Sequence, residues 1–338
     1  MWQASWGLAE QVMKAAEAAS EQLLGEQLPS RERFENIVVV GMGGSGIAGD
    51  VLVAAASPYL SVPVVVVNSY ELPAFVSRDS LVFAVSFSGD TEETLEAAGQ
   101  AVAVGAVVVA VSSGGELEAL AREHSLLHFP VASDIPAPRA AIGAMATPPL
   151  VVLQAMGLFP GATRWIELAV EQLRERREEL VNPGGLADSV AERIGRAIPI
   201  VESSHPVGLA AAKRWKTQVN ENAKRPAFFS AYPELCHNEI VAWGPHDELT
   251  KGLVLVNLRH DMEHPQVSRR FELVRELAMA HVADVVEVAA KGEGELAQLL
   301  DLVTIGDFVS LHLARRDSLD PGPVSVLERL KQRLRQGA

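Results

Sequence analysis

Short blocks of consecutive apolar residues recur along the chain, each followed by a glycine- or serine-rich link and an amphipathic stretch. NIVVV (36–40) has no period-two polarity, as expected of a strand covered on both faces of a sheet. Gly41-Met42-Gly43-Gly44-Ser45-Gly46 follows it and opens a helical stretch to Ala56. VPVVVV (62–67), SLVFAVS (80–86), AVVVAVSS (106–113) and HSLLHFPV (124–131) predict four more strands, with a helix from about Thr91. Strands alternating with helices through short links predict a parallel, doubly wound sheet.

From about Ala140 to Leu180 the pattern is helical and strandless, until NPGG (182–185) breaks it. It then restarts. AIPIVES (197–203), GLVLVNL (252–258) and DVVEVAA (284–290) predict strands, a helix runs to about Ala223, and two helices (294–315 and 323–335) close the chain. The N-terminus, MWQASWGLAEQVMKAAEAASEQLL, reads as an amphipathic helix. The predicted class is α/β: two doubly wound parallel-sheet domains with additional N- and C-terminal helices. The expected division is a first domain over 1–160, a connecting helix and linker over 161–185, and a second domain over 186–338.

Charge narrows the partners. The net charge of -14 argues against nucleic acid and anionic membrane. An anion site in such a chain has to be built locally, from backbone N–H groups, hydroxyls and a few placed cations. Cys236 is the only cysteine, so no intrachain disulfide forms, which fits a reducing compartment. The N-terminus lacks the basic start and apolar block of a signal peptide, and no apolar run reaches membrane-spanning length. A soluble, cytoplasmic protein is expected.

Two strand-to-helix junctions carry candidate chemistry. Gly41–Gly46 literally satisfies G-x-G-x-x-G. A dinucleotide site also needs an acid at the end of the second strand, and that strand ends in Asn68-Ser69, with Glu71 beyond a turn. The second junction is Ser86-Phe87-Ser88-Gly89-Asp90-Thr91-Glu92-Glu93-Thr94. Ser86, Ser88 and Thr91 bring three hydroxyls to one helix N-terminus, where backbone N–H groups lack intrahelical partners. Ordinary capping, with Asp90 or Thr91 as N-cap and Glu92 and Glu93 favoured by the helix dipole, accounts for the later residues. It does not account for Ser86 and Ser88. Hydroxyls and amides together can surround a phosphate without a cation.

GMGGSGIAGD with SFSGDTEET resembles the sugar isomerase (SIS) domain, whose Ser/Thr loop holds a phosphosugar. PRAAIG, QVNENAK and ELCHNE narrow the resemblance to the bifunctional phosphoglucose/phosphomannose isomerase family, over most of the chain. That resemblance implies two SIS-like domains, a phosphosugar substrate, no cofactor and no metal. It implies that glucose 6-phosphate and mannose 6-phosphate are interconverted with fructose 6-phosphate through a cis-enediolate. Such chemistry needs a phosphate anchor, a ring-opening acid/base, a base held within ~3 Å of the C1/C2 proton, and positive charge near the enediolate oxygen.

The resemblance gives Ser86, Ser88 and Thr91 the phosphate, with Gly44 and Ser45 completing the sugar pocket. It makes Glu221 the proton-transferring base. His237 opens the ring and comes from the partner subunit, which implies a homodimer. Arg139 stabilises the enediolate, and Lys331 reaches the ring oxygen or hydroxyls. Taken without the resemblance, Glu221 and Lys331 are solvated helical charges. Arg139 is different: at a helix start it opposes the dipole, which already points to a task. Cys236 and Phe87 stand where the family pattern differs. His260 and His264, near Asp261 and Glu263, do not form a strong metal-ligand spacing. Two alternatives remain: a non-catalytic sugar-phosphate-binding regulatory protein, and an NAD(P)-dependent Rossmann enzyme.

Overall fold

The apolar blocks assemble into two separate all-parallel sheets. They are seen in a computed structural model that describes residues 1–244 and 247–336. Helices α1 (Trp2–Trp6) and α2 (Leu8–Gln22) come first. The first sheet is built from β1 (Asn36–Val40), α3 (Gly44–Ala55), β2 (Val64–Val67), β3 (Ser80–Val85), α4 (Glu92–Ala103), β4 (Val107–Ser112), α5 (Gly115–Glu123) and β5 (Leu127–Pro130). Helices α6 (Ile142–Ala155) and α7 (Ala162–Val181) lead to the second unit. That unit comprises α8 (Leu186–Ile194), β6 (Ile198–Ser204), α9 (Val207–Asn222), β7 (Phe228–Tyr232), α10 (Asp247–Thr250), β8 (Leu253–Arg259), α11 (Pro265–Ala278), β9 (Asp284–Ala289), α12 (Gly294–Arg316) and α13 (Ser325–Gln336).

The strand orders are β2-β1-β3-β4-β5 and β7-β6-β8-β9. In each sheet the first strand in sequence has its second on one side and its third on the other. Such a reversal opens a crevice at the carboxyl ends of the strands. In the first sheet the crevice lies between β1 and β3, which run in register from Asn36 opposite Ser80 to Val40 opposite Ala84. Both candidate loops leave from these two strand ends.

Every predicted strand is present with small shifts at its ends. β7 is an addition to them. It is an edge strand whose Phe228 and Phe229 are exposed, so it lacks the buried block that marks the others. α8, between the NPGG break and β6, is likewise an addition.

One hydrophobic cluster runs through both units, from Ile37, Val39 and Phe83 to Val201, Val256 and Val286. Helix α12 lies within it, buried without interruption from Leu296 to Ala314. By length and hydropathy α12 passes for a membrane span, yet it is enclosed by protein. A polar line breaks its apolar surface every three residues: Gln298, Asp301, Thr304, Asp307 and Ser310, all buried. At ~3.6 residues per turn each step of three falls about 60° short, so the line winds from the side facing α7 to the side facing α9. Asp301 accepts from Gln172 of α7 (2.9 Å) and pairs with Arg176 (3.2 Å). Asp307 and Ser310 face α9 and lead to the site.

Candidate active site

The site begins with glycine geometry. Gly43 has φ +54, a left-handed conformation that L side chains rarely adopt. A Cβ on Gly44 would stand 3.1 Å from the carbonyl oxygen of Pro138 and 3.2 Å from the amide of Arg139. The glycine therefore lets the first loop lie directly against the turn that carries the arginine. Asn68 Nδ2 donates to the carbonyl of Gly41 at 2.5 Å. The position where a dinucleotide site requires an acid instead pins this loop.

Ser45 ties the two loops together. Its buried hydroxyl accepts from the amide of Phe87 (3.1 Å) and donates to Met145 Sδ (3.4 Å). In the second loop, Ser86 Oγ accepts from the amide of Gly89 (3.1 Å) and donates to Thr91 Oγ1 (2.9 Å). Ser88 Oγ accepts from the amide of Asp90 (3.2 Å). Thr91 occupies the N-cap position of α4 without a capping bond of its own. Asp90 does not cap α4. Its Oδ1 accepts from the amide of Glu116 (3.0 Å) at the start of α5, a long-range cap that local spacing could not reveal. Gly89 is required sterically as well: a Cβ there would collide with the carbonyl of Gly114 at 1.8 Å.

Arg139 lies on the short 3-10 turn Pro138–Ala140 and is only 3% exposed. Its Nη1 donates to Glu221 Oε2 at 3.3 Å and its Nε to Asn222 Oδ1 at 2.9 Å. Nη2 donates to the carbonyls of Pro321 and Gly322, each at 2.6 Å. Burial pulls its pKa below the ordinary arginine value, while the Glu221 carboxylate pulls the other way. Glu221 and Asn222 form the last turn of α9. Glu221 keeps 29% of its side chain exposed, so it faces an opening that the arginine does not. Lys224, at φ +57, turns back so that its ammonium donates to the carbonyl of Glu221. Partial burial and the Arg139 charge push the Lys224 pKa down.

The turn itself is anchored from behind. The Arg139 carbonyl accepts from Arg214 Nη2 at 2.8 Å, and Arg214 is held by Asp307 through two bonds of 3.0 and 2.7 Å. Gln218 donates to Asp307 at 2.6 Å, and Gln11 of α2 donates to the carbonyl of Ala140 at 3.0 Å. Arg214, Gln218 and Asp307 are all buried. Replacing one partner of a buried ion pair such as Arg214 and Asp307 would leave the other charge uncompensated.

The structure thus brings Gly44, Ser45, Ser86, Thr91, Arg139 and Glu221 into one continuous set of contacts, with Ser88 on the same loop. His237 and Lys331 are not joined to it among the described residues. His237 is exposed, on the turn Glu234–His237 that follows the edge strand β7. Lys331 is exposed on α13, whose Val326, Leu327, Leu330 and Leu334 are exposed too. Sequence reasoning missed Asn222, Lys224, Arg214, Gln218, Asp307 and the 321–322 carbonyls. A signal available was the polar row of α12, where Asp307 and Asp301 interrupt an apolar helix.

Residues 32–156 match the family model described as SIS domain, and residues 185–334 match that described as Bacterial phospho-glucose isomerase C-terminal SIS domain. The chain is 33% identical to the bifunctional phosphoglucose/phosphomannose isomerase of Caldicellulosiruptor bescii, over 99% of this chain and 98% of that one. It is 36% identical to the protein of the same name from Aquifex aeolicus, over 97% of this chain and 100% of that one. Among solved structures, a hypothetical protein from Thermus thermophilus superposes with a TM-score of 0.74. The two are 16% identical, over 100% of this chain and 91% of that one, a likeness of fold alone.

Proposed function

The chain belongs to the bifunctional phosphoglucose/phosphomannose isomerase family, and from that premise we propose that it interconverts glucose 6-phosphate and mannose 6-phosphate with fructose 6-phosphate. The observation that carries this reading is the contact between the buried Arg139 guanidinium and the half-open Glu221 carboxylate, 3.3 Å apart beside the Gly44 loop.

The phosphate docks on the hydroxyls of Ser86, Ser88 and Thr91 and on the free amides at the start of α4. Ser45 holds that loop against the glycine loop, and Gly44 gives the sugar room beside the arginine turn. With the ring open, Glu221 takes the proton from one of the two reacting carbons and returns it to the other. The carbonyl oxygen on the neighbouring carbon becomes anionic as the proton leaves. Arg139 meets that charge from a dry, prearranged position, where a cation acts more strongly than in water. Glucose and mannose phosphates differ only at C2 and yield the same enediolate, so one base and one clamp serve both. Glu221 carries the carbon-bound proton, and the remaining hydroxyl proton passes between the two oxygens of the enediolate, so the step balances by proton movement alone.

Ring opening falls to His237, an imidazole with one nitrogen to donate and one to accept. Its exposure on the β7 turn supports donation to a second copy, so the working unit is a homodimer with shared sites. The exposed leucine face of α13 supports the same assembly, and Lys331 on that helix assists at the ring oxygen. A cytoplasmic setting is part of this reading, supported by the single, unpaired Cys236.

A coupled assay should detect fructose 6-phosphate from both hexose phosphates. If neither yields it, the proposal is wrong. Site sharing has its own measurement. Glu221→Gln and His237→Ala should each be inactive alone. Mixed and allowed to exchange subunits, they should recover roughly a quarter of the parent specific activity, because half the dimers are mixed and each has one intact site. A mixture as inactive as its components would place His237 in its own subunit's site or outside the chemistry.

A further inference from the structure

An arginine side chain has five N–H donors. In Arg139 four are engaged: Nε with Asn222 Oδ1, both Nη2 hydrogens with the carbonyls of Pro321 and Gly322, and one Nη1 hydrogen with Glu221. One Nη1 hydrogen is left, on the nitrogen that faces the carboxylate. Asn222 is itself fixed. It is fully buried, and its Nδ2 donates to Ser310 Oγ at 2.9 Å. Ser310 Oγ donates in turn to the carbonyl of Asp307 at 2.6 Å. That anchor sets which end of the amide is the acceptor.

Resting on the isomerase reading above, we propose that Asn222 is a positioning residue that keeps Arg139 from clamping Glu221. A guanidinium and a carboxylate prefer a two-bond, fork-to-fork pair, which would occupy both carboxylate oxygens. With Nε held by Asn222 and Nη2 held by the 321–322 carbonyls, only Nη1 reaches Glu221. One carboxylate oxygen stays available for the substrate proton, and one arginine hydrogen stays available for the enediolate oxygen. The strap that precedes α13 and the last turn of α9 thus share the work of aiming one cation.

The test is kinetic. Asn222→Ala should lower kcat by about 10- to 100-fold, the size expected when a catalytic group is misplaced by about 1 Å. KM should stay within about threefold, because the phosphate loop is untouched. Asn222→Asp, whose carboxylate still accepts from Nε, should recover about tenfold of the loss. A merely structural role would not give this split and this rescue. If Asn222→Ala fails to fold, Asn222→Leu keeps the volume without the acceptor and carries the same measurement. An Asn222→Ala or Asn222→Leu enzyme with kcat within twofold of the parent overturns the proposal. Arg139→Ala assayed alongside separates the two levels. Loss of activity there with none at Asn222 leaves Arg139 in the chemistry without Asn222 behind it, whereas unimpaired Arg139→Ala removes both the arginine's role and the positioning proposal; the isomerase reading itself falls only if the parent forms no fructose 6-phosphate.

Discussion

Glu221→Gln is expected to abolish isomerisation, with kcat about 10³- to 10⁴-fold below the parent and KM for fructose 6-phosphate little changed. The size follows from what a positioned base contributes to proton transfer. Glutamine keeps the shape of the side chain and a carbonyl that can accept from Arg139 Nη1, so the arginine turn should hold. What disappears is the group that takes a proton from carbon. Exchange of the C2 proton with solvent should therefore fall in parallel with turnover. Exchange at the parent rate with turnover lost would assign the first proton transfer to another group. Normal turnover would remove Glu221 from the chemistry altogether.

A second large effect is expected far from the substrate. Glu202 in β6 pairs in register with Ser230 of β7 and Asn257 of β8, and Asn257 with Glu287 of β9. A polar row therefore crosses the whole second sheet. Glu202 is fully buried, and Tyr232 donates to its Oε2 at 3.2 Å. Its Oε1 and the neighbouring Asn257 Oδ1 have no partner among the described residues. Burial pushes the carboxyl up to about 8 from 4.5; the Tyr232 hydrogen bond opposes the rise and the nearby Glu239 charge adds to it. The folded protein therefore holds a proton that the unfolded chain releases above pH 4.5. The contribution of Glu202 to stability thus falls as pH rises from about 4.5 to about 8, and levels off beyond. Glutamine at this position cannot ionise and offers two hydrogens to the row. Glu202→Gln should gain on the parent by several kcal/mol between pH 5 and pH 8.5, most of it above pH 6. Urea unfolding midpoints at the two pH values give the answer. A gap of the same size at both would mean that Glu202 is already ionised in the fold.

These two residues mark what sequence could and could not reveal. The strands of both sheets were legible because burial on two faces demands unbroken apolar blocks, and β7 escaped because an edge strand does not. The hydroxyl-bearing loop of Ser86, Ser88 and Thr91 stood out as a candidate because its hydroxyls are adjacent in sequence. Glu221, His237 and Lys331 were reached only through resemblance, since isolated charges carry no local pattern; Arg139 stood out by its place at a helix start, but its role came from the resemblance. Asn222, Arg214 and Asp307 act through contacts spanning 75 to 93 residues. Nothing short of the fold announces partners so distant, and the capping role of Asp90 at α5 was hidden for the same reason.

Helix α12 has a further consequence. It packs on α9, α7, α8 and α3, so elements of both lobes close around a single rod of protein. A clamshell motion of the kind that two-lobed binding proteins use to trap ligands would have to tear that common interior open. Any rearrangement around Arg139 is left to thin peripheral pieces such as the segment between α12 and α13, whose Pro321 and Gly322 carbonyls hold its guanidinium.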